Sequence, residues 1–468
     1  MTPPSPEGRG ATAAPGRLLS ILGVGFGLAG AVGGTIGAGI LRTPGLVAAE
    51  LGDPGLILGA WLLGGLYALL GAVCVAELAA SLPRAGGWYV YAERAFGAGA
   101  GFLVGWMDWL GHCAGLAWVA ITIGDYGQAL LPPALTAEHP WLGSAIGLLA
   151  LLLFTLIQLP GVRSGSASQE LLSLLKALAF LGLVAACFLL PVPTITADTG
   201  VWPATDGPGS GPGAGSLSLA AVFALQAVIT TFDGWASPIY FAEEFSSPAR
   251  DLPRSLIGGV LVVVALYLLI NGALLHVLPL PQLAVSPLPA ADAATALGGP
   301  IGGQLITGLA LVSLLGLINT VVMAAPRILY GLSRDHLFPA VAARVNAGGT
   351  PTPALLLTST ASAALLLSGS FNQLLAMAAV FYVCLPLSGI AAQLWLRRQE
   401  PELARPFQTW GYPLPPLLIG AVSVAFLVAA LVNDRGHSLA AFGLIAAGLP
   451  LFWLSRRLGW IAPAAEGA

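Results

Sequence analysis

Charge is scarce in this sequence. Asp, Glu, Lys and Arg make up 8% of its 468 residues, against about 25% in soluble domains, and lysine occurs once, at Lys176. A chain that is 57% hydrophobic, with a mean hydropathy of +0.86, cannot surround itself with polar surface, so it is read as an integral membrane protein. It has no basic patch, which excludes nucleic acid as a partner. Cysteine is also rare: Cys74, Cys113, Cys187 and Cys384 lie in apolar stretches without CxxC spacing, as small core residues rather than disulfides or ligands. The five histidines show neither i,i+4 pairing nor HExxH, so no metal and no cofactor are expected. A signal peptide's short apolar region and cleavage site are missing from residues 1–16, a Pro-, Gly- and Ala-rich stretch expected to be a disordered tail.

What the chain has instead is a series of apolar runs of about 20 residues without β-type alternation, which predicts membrane helices rather than a barrel. Hydropathy divides them into about twelve spans, beginning near Leu18, Gly55, Ala98, Trp141, Glu170, Ser216, Ser255, Gly299, Pro353, Leu374, Pro413 and Leu439. With the N-terminus inside, the arginines gather on inner loops and span ends; only Arg42 and Arg435 fall outside, and Lys176 lies within a span. That asymmetry predicts both termini in the cytoplasm and an even number of spans.

Two spans are written to break. Gly33-Gly34-Thr35-Ile36-Gly37-Ala38-Gly39 has four glycines in seven residues, each costing a helix interior roughly 1 kcal/mol against Ala. The stretch resists a dinucleotide reading despite the nearby Gly25-Phe26-Gly27-Leu28-Ala29-Gly30, because no strand precedes it. Close helix packing through small residues is the bland alternative. Five spans later, Thr230-Thr231-Phe232-Asp233-Gly234-Trp235-Ala236-Ser237-Pro238 interrupts the sixth span, since Pro238 cannot donate to a helix and Gly234 frees the chain. Unwound backbone survives in a membrane only where it is buried in protein or lines a cavity. Breaks in corresponding positions of two five-helix blocks predict an inverted repeat with a binding site between its halves.

Ionisable groups inside spans are functional candidates. Lys176 lies about two turns into the fifth span by this count, too deep to snorkel easily; it is read as a coupling group or cation mimic, or else as a structural partner of a carbonyl or acid. Asp233 either meets a substrate amine, proton or cation, or caps the half-helix after it. Glu243 and Glu244, with inner arginines such as Arg84, are candidates for an inner gate or ordinary interfacial ion pairs, and Glu77 is read the same way. Asp108 and Asp125 lie in the third span with their orientation undetermined.

These residues resemble the amino acid–polyamine–organocation permeases. The resemblance rests on Gly34 to Leu41 with Pro44, Glu77-Leu78-Ala79 with Pro83-Arg84-Ala85-Gly86-Gly87 and Tyr89, Phe232-Asp233-Gly234-Trp235 with Glu243-Glu244 and Pro248 to Arg254, and Arg327 to Tyr330 with Arg334-Asp335 and Pro339. It runs from about Leu18 to Arg398. It implies an all-α membrane protein of LeuT type: 1–16 as tail, 17–191 and 216–398 as inverted five-helix repeats joined by an extracellular loop at 192–215, two further helices over 399–457, and a cytoplasmic tail at 458–468. It also implies a secondary amino acid permease of the cytoplasmic membrane, with an amino acid as substrate, a proton or counter-substrate as partner, and the lipid bilayer around it.

By the same resemblance, the substrate carboxylate meets backbone N–H groups around Gly37, Ala38 and Gly39. Its amine meets carbonyls of Thr35, Ile36, Thr230, Phe232 and Asp233 beside Gly234, and Trp235 gates or lines the side-chain pocket. Lys176 aligns with a lysine that replaces a sodium ion in sodium-independent members, which favours proton coupling or exchange. Ala38 stands where a serine is common, so one hydroxyl is lost near the carboxylate. The alternatives are a polyamine or cationic amino acid exchanger, with Asp233 holding a second amine, and an amino acid sensor that does not transport. An enzyme has no support, as no serine, histidine and acid cluster is visible.

Overall fold

A computed structural model describes residues 18–37, 39–191, 214–368, 371–433 and 435–457. Ala38, both tails and all but the last two residues of the 192–215 loop therefore lie outside the described residues. The first helices are α1 Val24–Thr35, α2 Gly39–Leu51, α3 Pro54–Ser81, α4 Trp88–Phe96, α5 Ala98–Ala129, α6 Pro133–Glu138, α7 Leu142–Gln158 and α8 Val162–Leu189. After the loop come α9 Ala214–Thr231, a 3₁₀ turn Ser237–Glu244, α10 Pro248–Val277, α11 Leu280–Val285 and α12 Pro289–Arg334. A second 3₁₀ turn at Ala340–Ala343 leads to α13 Thr352–Ser368, α14 Phe371–Gln399, α15 Leu414–Asn433 and α16 Arg435–Arg457. Among the described residues the only β pairing is an isolated bridge between Leu22 and Phe245.

Seven of these helices are long and apolar enough to cross a membrane, or eight when α1 and α2, which meet at 49°, form one span. Their outer faces are apolar and their inner faces carry the polar groups, the inverse of a water-soluble bundle. On α8, Leu171, Leu174 and Leu178 are exposed while Gln169, Ser173 and Lys176 are buried. The chain is thus a multi-pass membrane protein.

Proline and glycine set many boundaries. Pro54, Pro248 and Pro289 occupy first helical turns, where their missing N–H costs nothing. Asp53 caps α3 by accepting from Leu56 N–H at 2.9 Å. Gly299, with φ 65, bends α12 just before Pro300. The starts of α8 and α10 shift earlier than expected, to Val162 from near Glu170 and to Pro248 from near Ser255, whereas the start expected near Gly299 coincides with the kink that opens the second segment of α12. Hydropathy undercounts α8 and α10 because their first turns are polar, and in α8 those turns are buried against other protein. Gln158 Nε2 donates to Asn319 Oδ1 at 2.8 Å, and Asn319 Nδ2 donates to Gln169 Oε1 at 2.8 Å. Lys176 consequently stands midway along its helix, not two turns in.

The helices wrap around the two interrupted ones. α1 packs against α8, α10 and the first 3₁₀ turn, α2 packs against α9, and α3 lies along α10. α5 forms the opposite wall with α12 and α14. Both interruptions therefore lie at one level, facing α5.

Candidate substrate site at the two helix breaks

The first break leaves α1 after Thr35. Ile36 is extended (φ −78, ψ 93), so the carbonyls that end α1 have no following turn to bond. Lys176 supplies the partner. Its Nζ, fully buried, donates to Gly33 O at 3.1 Å, Ile36 O at 2.7 Å and Ser313 O at 3.2 Å. An ammonium has three donors and no acceptor, and here each donor has a carbonyl. Among the described residues no carboxylate is bonded to it. A cation at a helix C-terminus is also favoured by the helix dipole.

The second break is held from within. Gly234 adopts φ +102, which a side chain would resist. Ser237 Oγ donates back to Gly234 O at 2.6 Å, and the Asp233 carboxylate faces the Gly234 N–H. The two breaks touch: a Cβ on Gly34 would lie 2.8 Å from Gly234 O, and one on Gly234 would strike the Gly34 carbonyl. Tyr267 of α10, which sequence reasoning missed, spans both. Its buried hydroxyl lies 3.1 Å from Thr35 O and 3.2 Å from Thr231 O, and Thr43 Oγ1 and Thr231 Oγ1 are 2.8 Å apart.

Both breaks line a cavity of about 490 Å³. Of the residues expected at the site, Thr35, Gly37, Gly39, Thr230, Phe232, Asp233, Gly234 and Trp235 line it. Ile36 is not among the lining residues: its side chain is buried and its carbonyl accepts from Lys176 Nζ. Ala38 lies outside the described residues. A Cβ on Gly37 would lie 3.3 Å from Leu317 Cδ2, and one on Gly39 would lie 3.2 Å from Thr231 Cγ2. Phe232 packs away from the cavity centre between Trp61 and Tyr267, at centroid distances of 6.0 and 4.9 Å. Trp235 stands edge-on to Trp88 at 6.4 Å over Gly71, and with Tyr240 these rings floor the cavity. Gly39, Arg42, Leu46 and Thr230 are exposed where it opens.

The ionisable residues lining the cavity, besides Tyr67, Tyr240 and Tyr382, are Arg42, His112 and Asp233. Asp108 sits behind His112, fully buried: its Oδ1 lies 3.0 Å from His112 Nδ1 and accepts from Tyr240 Oη at 3.0 Å. Asp125 is exposed beside Arg42, whose guanidinium lies 5.8 Å from the Tyr126 ring centroid.

Beyond the floor lies a belt of ion pairs. Of the two readings open for Glu243 and Glu244, an inner gate with Arg84 or ordinary ion pairs, no direct pair with Arg84 is formed. Arg84 reaches Asp335 at 2.5 Å, Glu243 pairs with Arg334, and Arg334 in turn binds Asp335. Glu244 is instead fully buried in a two-pronged pair with Arg327, which lies over the Phe241 ring at 4.5 Å. The choice follows from α12, whose last turns place both arginines along the 3₁₀ turn. Burial alone would raise the Asp335 carboxyl, but hydrogen bonds from Arg334 and the charges of Arg334 and Arg84 hold it below the usual carboxylate range. Glu93 of α4 is pushed up to about 7, by burial first and then by the Asp335 charge. Glu77 ties α3 to the end of α14, accepting from Arg397 at 2.8 and 2.5 Å and from Thr409 N–H at 2.7 Å.

Comparison with known proteins gives this geometry its context. The serine/threonine exchanger SteT of Bacillus subtilis (strain 168) is 29% identical over 447 residues, covering 92% of this chain and 96% of its own. The large neutral amino acids transporter small subunit 2 of Homo sapiens is 27% identical over 430 residues, covering 90% of this chain and 78% of its own. The Asc-type amino acid transporter 1 of Mus musculus is 28% identical over 442 residues, with the same coverages. These relatives are transporters, not enzymes. Residues 18–453 match the family described as amino acid permease, and the chain belongs to that family.

Proposed function

We propose that the chain is a secondary amino acid transporter of the cytoplasmic membrane, working by alternating access without sodium, through exchange or proton coupling. The observation that carries this reading is the meeting of two interrupted helices at one cavity. The free N–H groups at the start of α2 suit a carboxylate, while the carbonyl ends of α1 and α9 suit an amine. The cavity is open at the Arg42 end and closed at the other by aromatic rings and ion pairs, one of the two states that alternating access requires.

The arrangement fits twelve spans with both termini cytoplasmic. α1 with α2, then α3, α5, α7 and α8, would form the first five-helix repeat (17–191). α9 with its 3₁₀ turn, then α10, α12, α13 and α14, would form the second (216–398), followed by α15 and α16. Lys176 supports sodium independence, because its ammonium fills a cage of backbone carbonyls of the type a small cation would need. The names of the relatives, an exchanger among them, favour exchange as the mode.

Asp233 lining the cavity favours a second reading, a cationic amino acid or polyamine as substrate, and a sensor that binds without transporting shares the same site. The test is uptake of radiolabelled amino acids into proteoliposomes in sodium-free buffer, either preloaded with amino acid or given an inward proton gradient. Uptake that requires preloading establishes exchange, and gradient-driven uptake establishes proton symport. Binding without uptake in either case contradicts the transporter reading. Competition by lysine or putrescine, but not by neutral amino acids, moves the assignment to the cationic class.

A further inference from the structure

The third span contributes a group that the backbone site does not use. His112 stands on the cavity wall facing away from the breaks' own hydrogen bonds, 7% exposed, with its ring edge-on to Tyr240 at 4.9 Å and nearly perpendicular to Tyr382 at 6.4 Å. Its Nδ1 meets two acceptors at once, the Asp108 backbone carbonyl at 2.8 Å and Asp108 Oδ1 at 3.0 Å. Two acceptors on one ring nitrogen require that nitrogen to carry the proton. The tautomer is thereby fixed, and Tyr240, donating to the same Asp108 oxygen at 3.0 Å, fixes the carboxylate.

Nε2 is the ring nitrogen left for the cavity. In the neutral imidazole it is an acceptor, and in the imidazolium it is a donor. A hydroxyl can answer either form, whereas an alkyl group answers neither and leaves a desolvated ring nitrogen unpaired. Among the polar groups nearby, Tyr240 donates to Asp108 and Tyr382 to Gly111 O at 3.2 Å, while Asp233, at the second break, is the acidic group available to a substrate's amine. We infer that His112 is the specificity-determining residue of this cavity, selecting amino acids whose short side chain carries a hydroxyl, with Asp108 as the positioning residue that aims it. This inference rests on the amino acid transporter reading above and specifies its substrate class.

Threonine and valine have nearly the same shape and differ in the hydroxyl, which makes them the probe. In proteoliposomes of the full-length protein, competition against labelled serine is expected to favour threonine over valine by about tenfold or more. His112→Leu should bring the ratio to near one, with threonine inhibition and labelled serine uptake weakening together and valine inhibition retained, and His112→Gln, which keeps a polar head, should restore part of it. Asp108→Asn should lower the ratio while leaving valine inhibition unchanged, an effect that loss of fold would not produce. A wild type that does not distinguish threonine from valine overturns the inference without any variant. So does an unchanged ratio in His112→Leu, or in His112→Phe should the leucine variant fail to fold. A wild type that carries no amino acid at all overturns the transporter reading itself, so the two failures are told apart.

Discussion

The break after Thr35 and the break after Thr231 reach the same cavity but are held by different means. The first depends on other helices: Lys176 of α8 takes two of its carbonyls and Tyr267 of α10 approaches a third. The second shares the Tyr267 contact at Thr231 O but adds restraints of its own, with Gly234 at φ +102, Ser237 Oγ on Gly234 O, and the 3₁₀ turn directly following. A segment held by neighbours changes shape when they move, whereas a segment held by itself moves as a unit. On this account the first break senses rearrangement of α8 and α10, and the second acts as a rigid wedge between the cavity and the ion-pair belt beyond Trp235.

The largest effect is expected from the self-held break. Gly234→Ala places a methyl group against the Gly34 carbonyl in a left-handed backbone, so both breaks must move. Uptake should fall by on the order of a hundredfold or more, and near-normal uptake would show that the close approach of the two glycines is dispensable.

Lys176→Ala removes three charge-assisted hydrogen bonds, each of about 1.5–3 kcal/mol. It should leave the protein folded by size-exclusion chromatography yet reduce uptake by about 10- to 100-fold and abolish its dependence on a proton gradient or counter-substrate. Full uptake with unchanged coupling would remove Lys176 from the mechanism. Tyr267→Phe tests whether the breaks communicate. Losing hydrogen bonds of about 1 kcal/mol each to Thr35 O and Thr231 O should slow uptake about tenfold, and no change would leave the two breaks independent.

The smallest effect belongs to the ion-pair belt. Because Glu93 is held up to about 7 by burial and the Asp335 charge, the folded protein keeps a proton that the unfolded chain releases near 4.3. The folded state therefore binds more protons between about pH 4.5 and 7, and the sign of the linkage makes stability fall as pH rises through that window. Glu93→Gln should flatten that fall in a series of melting temperatures, while an identical slope in the variant would assign the pH dependence elsewhere.

The sequence reveals some of this because the signal is local. Four glycines in seven residues and the Gly234–Pro238 pair mark broken helices whatever surrounds them, and a lone lysine amid leucines marks itself. Other parts are not written locally. Tyr267 is one aromatic among many in an apolar helix, and only the rotation of α10 places its hydroxyl between the breaks. Asp108 and His112, four apart, lie on one helix face, but whether that face meets lipid or the cavity depends on α5 packing against α12 and α14. The belt's partners were out of reach for the same reason: Arg84, Arg327 and Arg334 are equivalent by composition, and the geometry of the 3₁₀ turn sends Glu244 to Arg327 and Glu243 to Arg334. The early start of α8 was hidden because buried polar residues score as loop.

The central claim, that the unwound backbone between α1 and α2 together with α9 binds the substrate, is tested most directly by measuring binding to Gly39→Val. A Cβ at Gly39 would already sit 3.2 Å from Thr231 Cγ2, and the branched side chain of valine would crowd the N–H groups that open α2. Scintillation proximity binding of a labelled amino acid should be saturable in the wild type and absent in folded Gly39→Val. Equal affinity in the two proteins would contradict the claim and place the substrate away from the first break.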